Sequence, residues 1–110
     1  MKGGNSLRIV TLNTWKGDGE YSKRIQKTIE DLLELQPDII CLQESLKSDK
    51  HDTSMVIAEA FSYTRLYAPA RKKNRTIEGE ELISFSGMAI LTSLPVLGQW
   101  THELPGNEQD

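Results

Sequence analysis

Apolar and polar positions along the chain fall into a few distinct rhythms. Leu7-Arg8-Ile9-Val10-Thr11-Leu12-Asn13 is dense in β-branched and apolar residues and predicts a strand buried on both faces. Tyr21, Ile25, Ile29, Leu32 and Leu33 then recur at three- and four-residue spacings, with Lys, Glu, Gln and Asp between them. That is the apolar stripe of an amphipathic helix. Pro37 stops it, because the residue before a proline is driven out of the helical region. Asp38-Ile39-Ile40-Cys41-Leu42-Gln43-Glu44 follows at once as a second buried strand.

Beyond it the rhythms weaken. Residues 45–52 (SLKSDKHD) read as a polar loop, Met55 to Phe61 as a short helix and Tyr63 to Tyr67 as a strand. Ala70 to Glu81 is polar and charged, which predicts an exposed loop or hairpin. Leu82 to Phe85 predicts a strand, and Ser86 to Ser93 another that closes at Leu94-Pro95. Val96 to Leu104 predicts one more, ahead of a turn at Pro105-Gly106-Asn107. Residues 1–6 read as a flexible leader, and Gly17-Asp18-Gly19 as a loop without the glycine spacing of a phosphate loop.

Strand, helix and strand joined by short links make a βαβ unit with parallel strands and a right-handed crossover. Both strands then end on one edge of the sheet, where ligands gather in open α/β folds. The polar residues at those ends are Asn13 and Glu44. Leu7, Ile9, Thr11 and Asn13 share one face, as do Asp38, Ile40, Leu42 and Glu44. If the two faces point the same way, an amide and a carboxylate crown one surface, as hard oxygen donors suited to Mg²⁺ or Mn²⁺. The competing reading is two ordinary strand-end residues making turn hydrogen bonds. Gln43 is expected to orient Glu44 or to bond nearby backbone. Trp15 either lines a cleft beside Asn13 or packs.

The 110 residues allow one modest domain, and 37% hydrophobic with 26% charged residues excludes disorder along the whole chain. A net charge of −3 excludes a global basic field. The charge is uneven, however. Arg71, Lys72, Lys73 and Arg75 carry +4 within five positions, so the remainder holds −7 (−3 minus +4). This cluster reads either as a solvated hairpin tip or as a contact for a polyanionic substrate. Cys41, the lone cysteine, excludes an intramolecular disulfide and a cysteine zinc cluster, and its apolar neighbours predict burial. No secretory h-region or bilayer-length apolar run is present. The expectation is a cytoplasmic protein, in which the sequon Asn74-Arg75-Thr76 has no glycosylation role. His51 and His102 are expected to be plain surface residues.

Leu7 to Trp15 resembles the opening motif of the endonuclease/exonuclease/phosphatase (deoxyribonuclease I-like) family. Pro37 to Glu44 is similar to its second motif, and Ser86-Gly87-Met88-Ala89-Ile90-Leu91-Thr92-Ser93-Leu94-Pro95-Val96 to its third. The resemblance implies an α/β fold, residues 7–110 being the N-terminal part of a four-layer sandwich of two packed mixed sheets flanked by helices. It implies divalent-metal-dependent hydrolysis of a phosphoester by an activated water, with Glu44 as metal ligand, Asn13 beside it helping to hold the metal or the phosphate, and Mg²⁺ or Mn²⁺ as cofactor. Many members carry Asn where Met88 stands, so a packing role is expected there. Thr14-Trp15-Lys16-Gly17 departs from the acidic residue and glycine usual in abasic-site repair nucleases. Nucleic acid therefore stays open as a substrate beside lipid and small phosphoesters. The family's general-base His, its Asp partner and its central Asp and Asn have no counterpart in these 110 residues. The chain alone is accordingly expected to be inactive, and to self-associate or to need a missing C-terminal half. A non-catalytic α/β binding module is the alternative.

Overall fold

The computed structural model describes residues 6–15 and 19–102. Residues 1–5 of the leader expected over 1–6, the residues Lys16 to Asp18 and the turn at Pro105-Gly106-Asn107 lie outside it. Among the described residues six elements run in the order β1 (Ile9–Asn13), α1 (Tyr21–Leu35), β2 (Ile39–Ser48), α2 (Thr53–Phe61), β3 (Thr64–Ile77) and β4 (Glu80–Thr92). The strands form one mixed sheet in the order β1-β2-β4-β3. β1 and β2 are parallel, as the βαβ reading requires, and Asn13 stands opposite Gln43. The β2–β4 and β3–β4 pairs are antiparallel.

Helix α1 follows its sequence pattern. Tyr21, Ile25, Ile29 and Leu32 are buried, while Leu33, at 48% exposure, drops off the stripe. Its end is made by Gln36 in the left-handed region (φ 51°), whose N–H bonds Leu32 O at 3.1 Å. The buried Pro37 then blocks continuation. Helix α2 starts two residues earlier than expected, at Thr53, because Asp52 caps it: Oδ1 accepts from Met55 N at 3.2 Å. The helical face packs with Ile40, Leu42, Leu46, Ile57, Ala89 and Leu91 into the core. Burying Tyr21 and Tyr67 pushes both phenols above their usual pKa of 10. A raised acid pKa means the folded state holds its proton more tightly, so this stability is complete below pH 10 and is lost as pH rises through the elevated values. Urea unfolding between pH 8 and 11 should show declining stability above pH 10, with a shallower decline for Tyr21→Phe. An equal decline in that variant would remove Tyr21 as a cause.

Several expectations change or narrow. The predicted loop 45–52 begins only after Ser48, because Leu46 is fully buried and pairs with Ser86, which keeps β2 in the sheet. Of the exposed loop or hairpin expected over Ala70 to Glu81, the structure shows the hairpin: β3 runs on to Ile77 and turns at Glu78-Gly79, where φ is 51° and 82°, as a two-residue hairpin turn demands. Leu82–Phe85 and Ser86–Ser93 are one strand, β4. The strand expected from Val96 is absent over 96–102. Pro95 and Gly98 disfavour it, and β4 is already flanked by β2 and β3. Leu97 and Trp100 are exposed there instead. Cys41 is half-buried rather than buried, because it faces away from the core with Ile9 and Thr11.

Candidate active site

Along β1 the exposed residues are Ile9, Thr11 and Asn13, while Val10 and Leu12 are partly buried against the core. Their partners on β2 are Ile40 and Leu42, both fully buried. Asn13 therefore belongs to the outer face and Leu42 to the inner one. By strict alternation Glu44 would join Leu42 on the inner face, so the two sequence-predicted faces are opposed and not shared.

A bulge resolves the conflict. Between Leu42, paired with Ala89, and Ser45, paired with Gly87, β2 spends two residues against Met88 alone. Glu44 takes the left-handed conformation there, with φ 52°. A bulge of this kind re-aims one side chain, and here it brings Glu44 to Asn13: Asn13 Nδ2 donates to Glu44 Oε2. Asn13 Oδ1 accepts from Trp15 N at 2.8 Å, which fixes the amide's orientation because a backbone N–H can only donate. Asn13 thus turns its NH₂ to the carboxylate and its oxygen to backbone.

Thr14, which sequence reasoning passed over, holds the bulge. It is 3% exposed, its N–H bonds Gln43 O at 2.9 Å, and its hydroxyl lies 3.0 Å from both Gln43 O and Glu44 O. Arg24 on α1 donates to Thr14 O. The one available signal was a small hydroxyl residue directly after the strand-end amide. Gln43 bonds Thr11 Oγ1 at 2.8 Å and Cys41 O at 3.5 Å, so it ties β1 to β2.

Glu44, Ala70, Arg71, Ser86, Gly87 and Met88 enclose a cleft of about 350 Å³. Met88 is 57% exposed and forms an apolar wall instead of packing into the core. Arg71 arrives through a second irregularity, where β3 skips register between Pro69 and Arg71 opposite Gly87 and Ser86. The basic cluster divides at this point. Lys72 and Lys73 are exposed, whereas Arg75 donates to Ser84 O at 3.0 Å, Ser84 Oγ at 2.7 Å and Ser86 Oγ at 3.2 Å, clamping the hairpin. Trp15 does not pack; it is 61% exposed beside Asn13. His51 is no plain surface residue, since its half-buried ring meets Tyr21 edge-on at 5.0 Å. His102 is exposed, and neither histidine borders the cleft.

As a cation site the cleft offers one carboxylate, and among the described residues no three of His, Cys, Asp and Glu gather. That donor set excludes a tetrahedral zinc site built from these residues and fits an ion such as Mg²⁺, which keeps most of its waters.

No protein-family model and no curated protein matches the sequence. Solved structures do match. An endonuclease/exonuclease/phosphatase family protein from Leptotrichia buccalis C-1013-b superposes with a TM-score of 0.65 at 16% identity, covering 84% of this chain and 39% of that one. An endonuclease/exonuclease/phosphatase from Beutenbergia cavernae DSM 12333 gives 0.65 at 19%, covering 84% and 27%. An AP endonuclease from Archaeoglobus fulgidus gives 0.51 at 21%, covering 79% and 27%. The chain spans less than two fifths of each of these proteins. Over the part it spans, this chain has the fold of endonuclease/exonuclease/phosphatase proteins.

Proposed function

We propose that the chain supplies the metal-binding edge of a divalent-metal-dependent phosphoester hydrolase, a four-layer sandwich when its domain is complete. The observation that carries this reading is the Asn13–Glu44 contact, built by a bulge within β2 that brings Glu44 to the end of the adjacent parallel strand β1. Glu44 holds Mg²⁺ or Mn²⁺, and Asn13 orients its carboxylate. Asn13 acts on Glu44 and not on the ion, because an NH₂ group directed at the carboxylate repels a cation. When bound, the ion supplies Lewis acidity to a phosphoryl oxygen and stabilises charge in the transition state. The outer face of the sheet, with Ile9, Met88 and Ile90 exposed, is the surface a second sheet would cover and through which the 110-residue chain would self-associate.

None of the residues enclosing the cleft can act as a histidine general base. The 110-residue chain should therefore bind metal yet lack the roughly 10²–10⁴-fold contribution of such a base. Mg²⁺ and Mn²⁺ titration by calorimetry, with sedimentation of the same samples, tests this. Heat from wild type that vanishes in Glu44→Gln supports the proposal. Equal heats from both proteins would sink it in favour of a non-catalytic binding module.

A further inference from the structure

We infer that the chain carries a second binding site, away from Glu44, for a small amphipathic carboxylate. Its anionic head would sit at Lys47 and Arg65, and its apolar body along Met55, Pro69 and Phe85. These five residues and Tyr67 border a cavity of about 550 Å³, to which α2, β3, β4 and the part of β2 beyond its bulge all contribute. That volume is in the range of sites for small organic ligands. Along β4, Phe85 and Met88 alternate to opposite faces, and the cavity has no lining residue in common with the Glu44 cleft. The inference therefore stands apart from the hydrolase reading.

The polar groups point to an anion. Lys47 Nζ and Arg65 Cζ lie 5.8 and 5.5 Å from the centroid of the Tyr67 ring, so one ring gathers two cations. The ring is itself fixed, because its hydroxyl donates to Ser45 O at 3.0 Å. Arg65 meets Asp52 Oδ2 at 3.4 Å, while Asp52 Oδ1 caps α2. Among the described residues no carboxylate pairs with Lys47. Lys47 and Lys72 both stand opposite Phe85, one from each neighbouring strand, so a further exposed cation lies on that face. No carboxylate lines the cavity.

The walls decide the rest of the ligand. Met55, at 36% exposure, and half-buried Phe85 offer apolar surface that packing has not closed. Inorganic phosphate would use the cations and leave these walls wet. An uncharged apolar molecule would use the walls and leave Lys47 without a partner. A carboxylate with an apolar body uses both.

Nitrogen–proton correlation spectra of the 110-residue chain, titrated with butanoate, hexanoate, octanoate and octanol at constant pH and ionic strength, test this. Octanoate should shift the amides of Lys47, Arg65, Tyr67 and Phe85 in one saturable step. Octanol should bind roughly ten- to hundred-fold more weakly, as expected for loss of a charge-assisted hydrogen bond. Affinity should rise roughly two- to fourfold per methylene from butanoate to octanoate. Lys47→Gln, at an exposed position, should weaken octanoate binding roughly tenfold and leave the spectrum of the free chain otherwise intact. Octanol matching octanoate, an affinity independent of chain length, or an unchanged affinity in Lys47→Gln would each overturn the inference. So would inorganic phosphate displacing octanoate at equal concentration, which would leave a plain anion site. None of these readouts involves Glu44, so this idea and the hydrolase reading can fail separately.

Discussion

Gly87→Ala is expected to destabilise the chain by about 3 kcal/mol, the upper range for forcing extra atoms into a packed interior. A Cβ at this position would lie 2.3 Å from Ala68 O and 2.9 Å from Pro69 Cα. Both are backbone atoms of the neighbouring strand, so no side-chain rotation relieves the contact. Gly87 also pairs with Ser45 just past the β2 bulge and with Pro69 just before the β3 irregularity. The substitution therefore presses on the point where both bulges meet, and Glu44 and Arg71 should lose their common cleft as the strands part. Urea denaturation gives the stability change. Gly79→Ala is the useful comparison, because nothing lies within 4 Å of a Cβ there and its cost comes only from φ 82°. About 1 kcal/mol is expected for that variant. Equal losses at the two glycines would show that the close approach at Gly87 has no special weight.

At Glu44 the expected result is a reversal of order. In an ordinary strand interior alanine is more stable than glycine by roughly 0.5–1 kcal/mol. Glu44 sits at φ 52°, where a Cβ is penalised by about 1–2 kcal/mol and glycine is not. Glu44→Gly should accordingly be more stable than Glu44→Ala by about 1 kcal/mol, although both lose the carboxylate and with it the proposed metal ligand. The two variants share the loss of the Asn13 hydrogen bond, so it cancels in the comparison. Thermal unfolding of both without metal measures the difference. Alanine matching or exceeding glycine would mean that the backbone at Glu44 is not held in the left-handed region. Strain retained at a site residue and absent from its neighbours is the pattern expected where geometry serves chemistry.

The first half of the chain was legible because burial imposed its period. Val10, Leu12, Ile40 and Leu42 are apolar where the core is, and the α1 stripe is interrupted only at Leu33. The second half hid its order because β3 beyond Pro69 is held by its ladder to β4 and little by burial, leaving Arg71 to Asn74 polar and exposed. A polar sequence of that kind reads as loop whether or not a partner strand is present. Of the site, the identities of Asn13 and Glu44 were visible and the family resemblance set them side by side, but the bulge through which they meet was not legible. Alternation alone sets them on opposite faces, and no residue type announces that Glu44 will adopt positive φ. Thr14 and Arg24 escaped notice because their roles are hydrogen bonds to carbonyl groups, which leave no mark on hydropathy.

Among the described strands, β1 has a single ladder, five residues long and to β2 alone, whereas β3 and β4 share a hairpin of more than twice that length. Asn13 is the last residue of that short strand. Releasing β1 would separate Asn13 from Glu44 while the long hairpin and the β2–β4 ladder persisted. Competence of the site is thereby linked to a local opening equilibrium with its own small free energy, distinct from the global one. Any ligand that needs Asn13 and Glu44 together must draw on its binding free energy to keep β1 closed, and its measured affinity would be lower than its intrinsic affinity by the fraction of molecules with that strand in place.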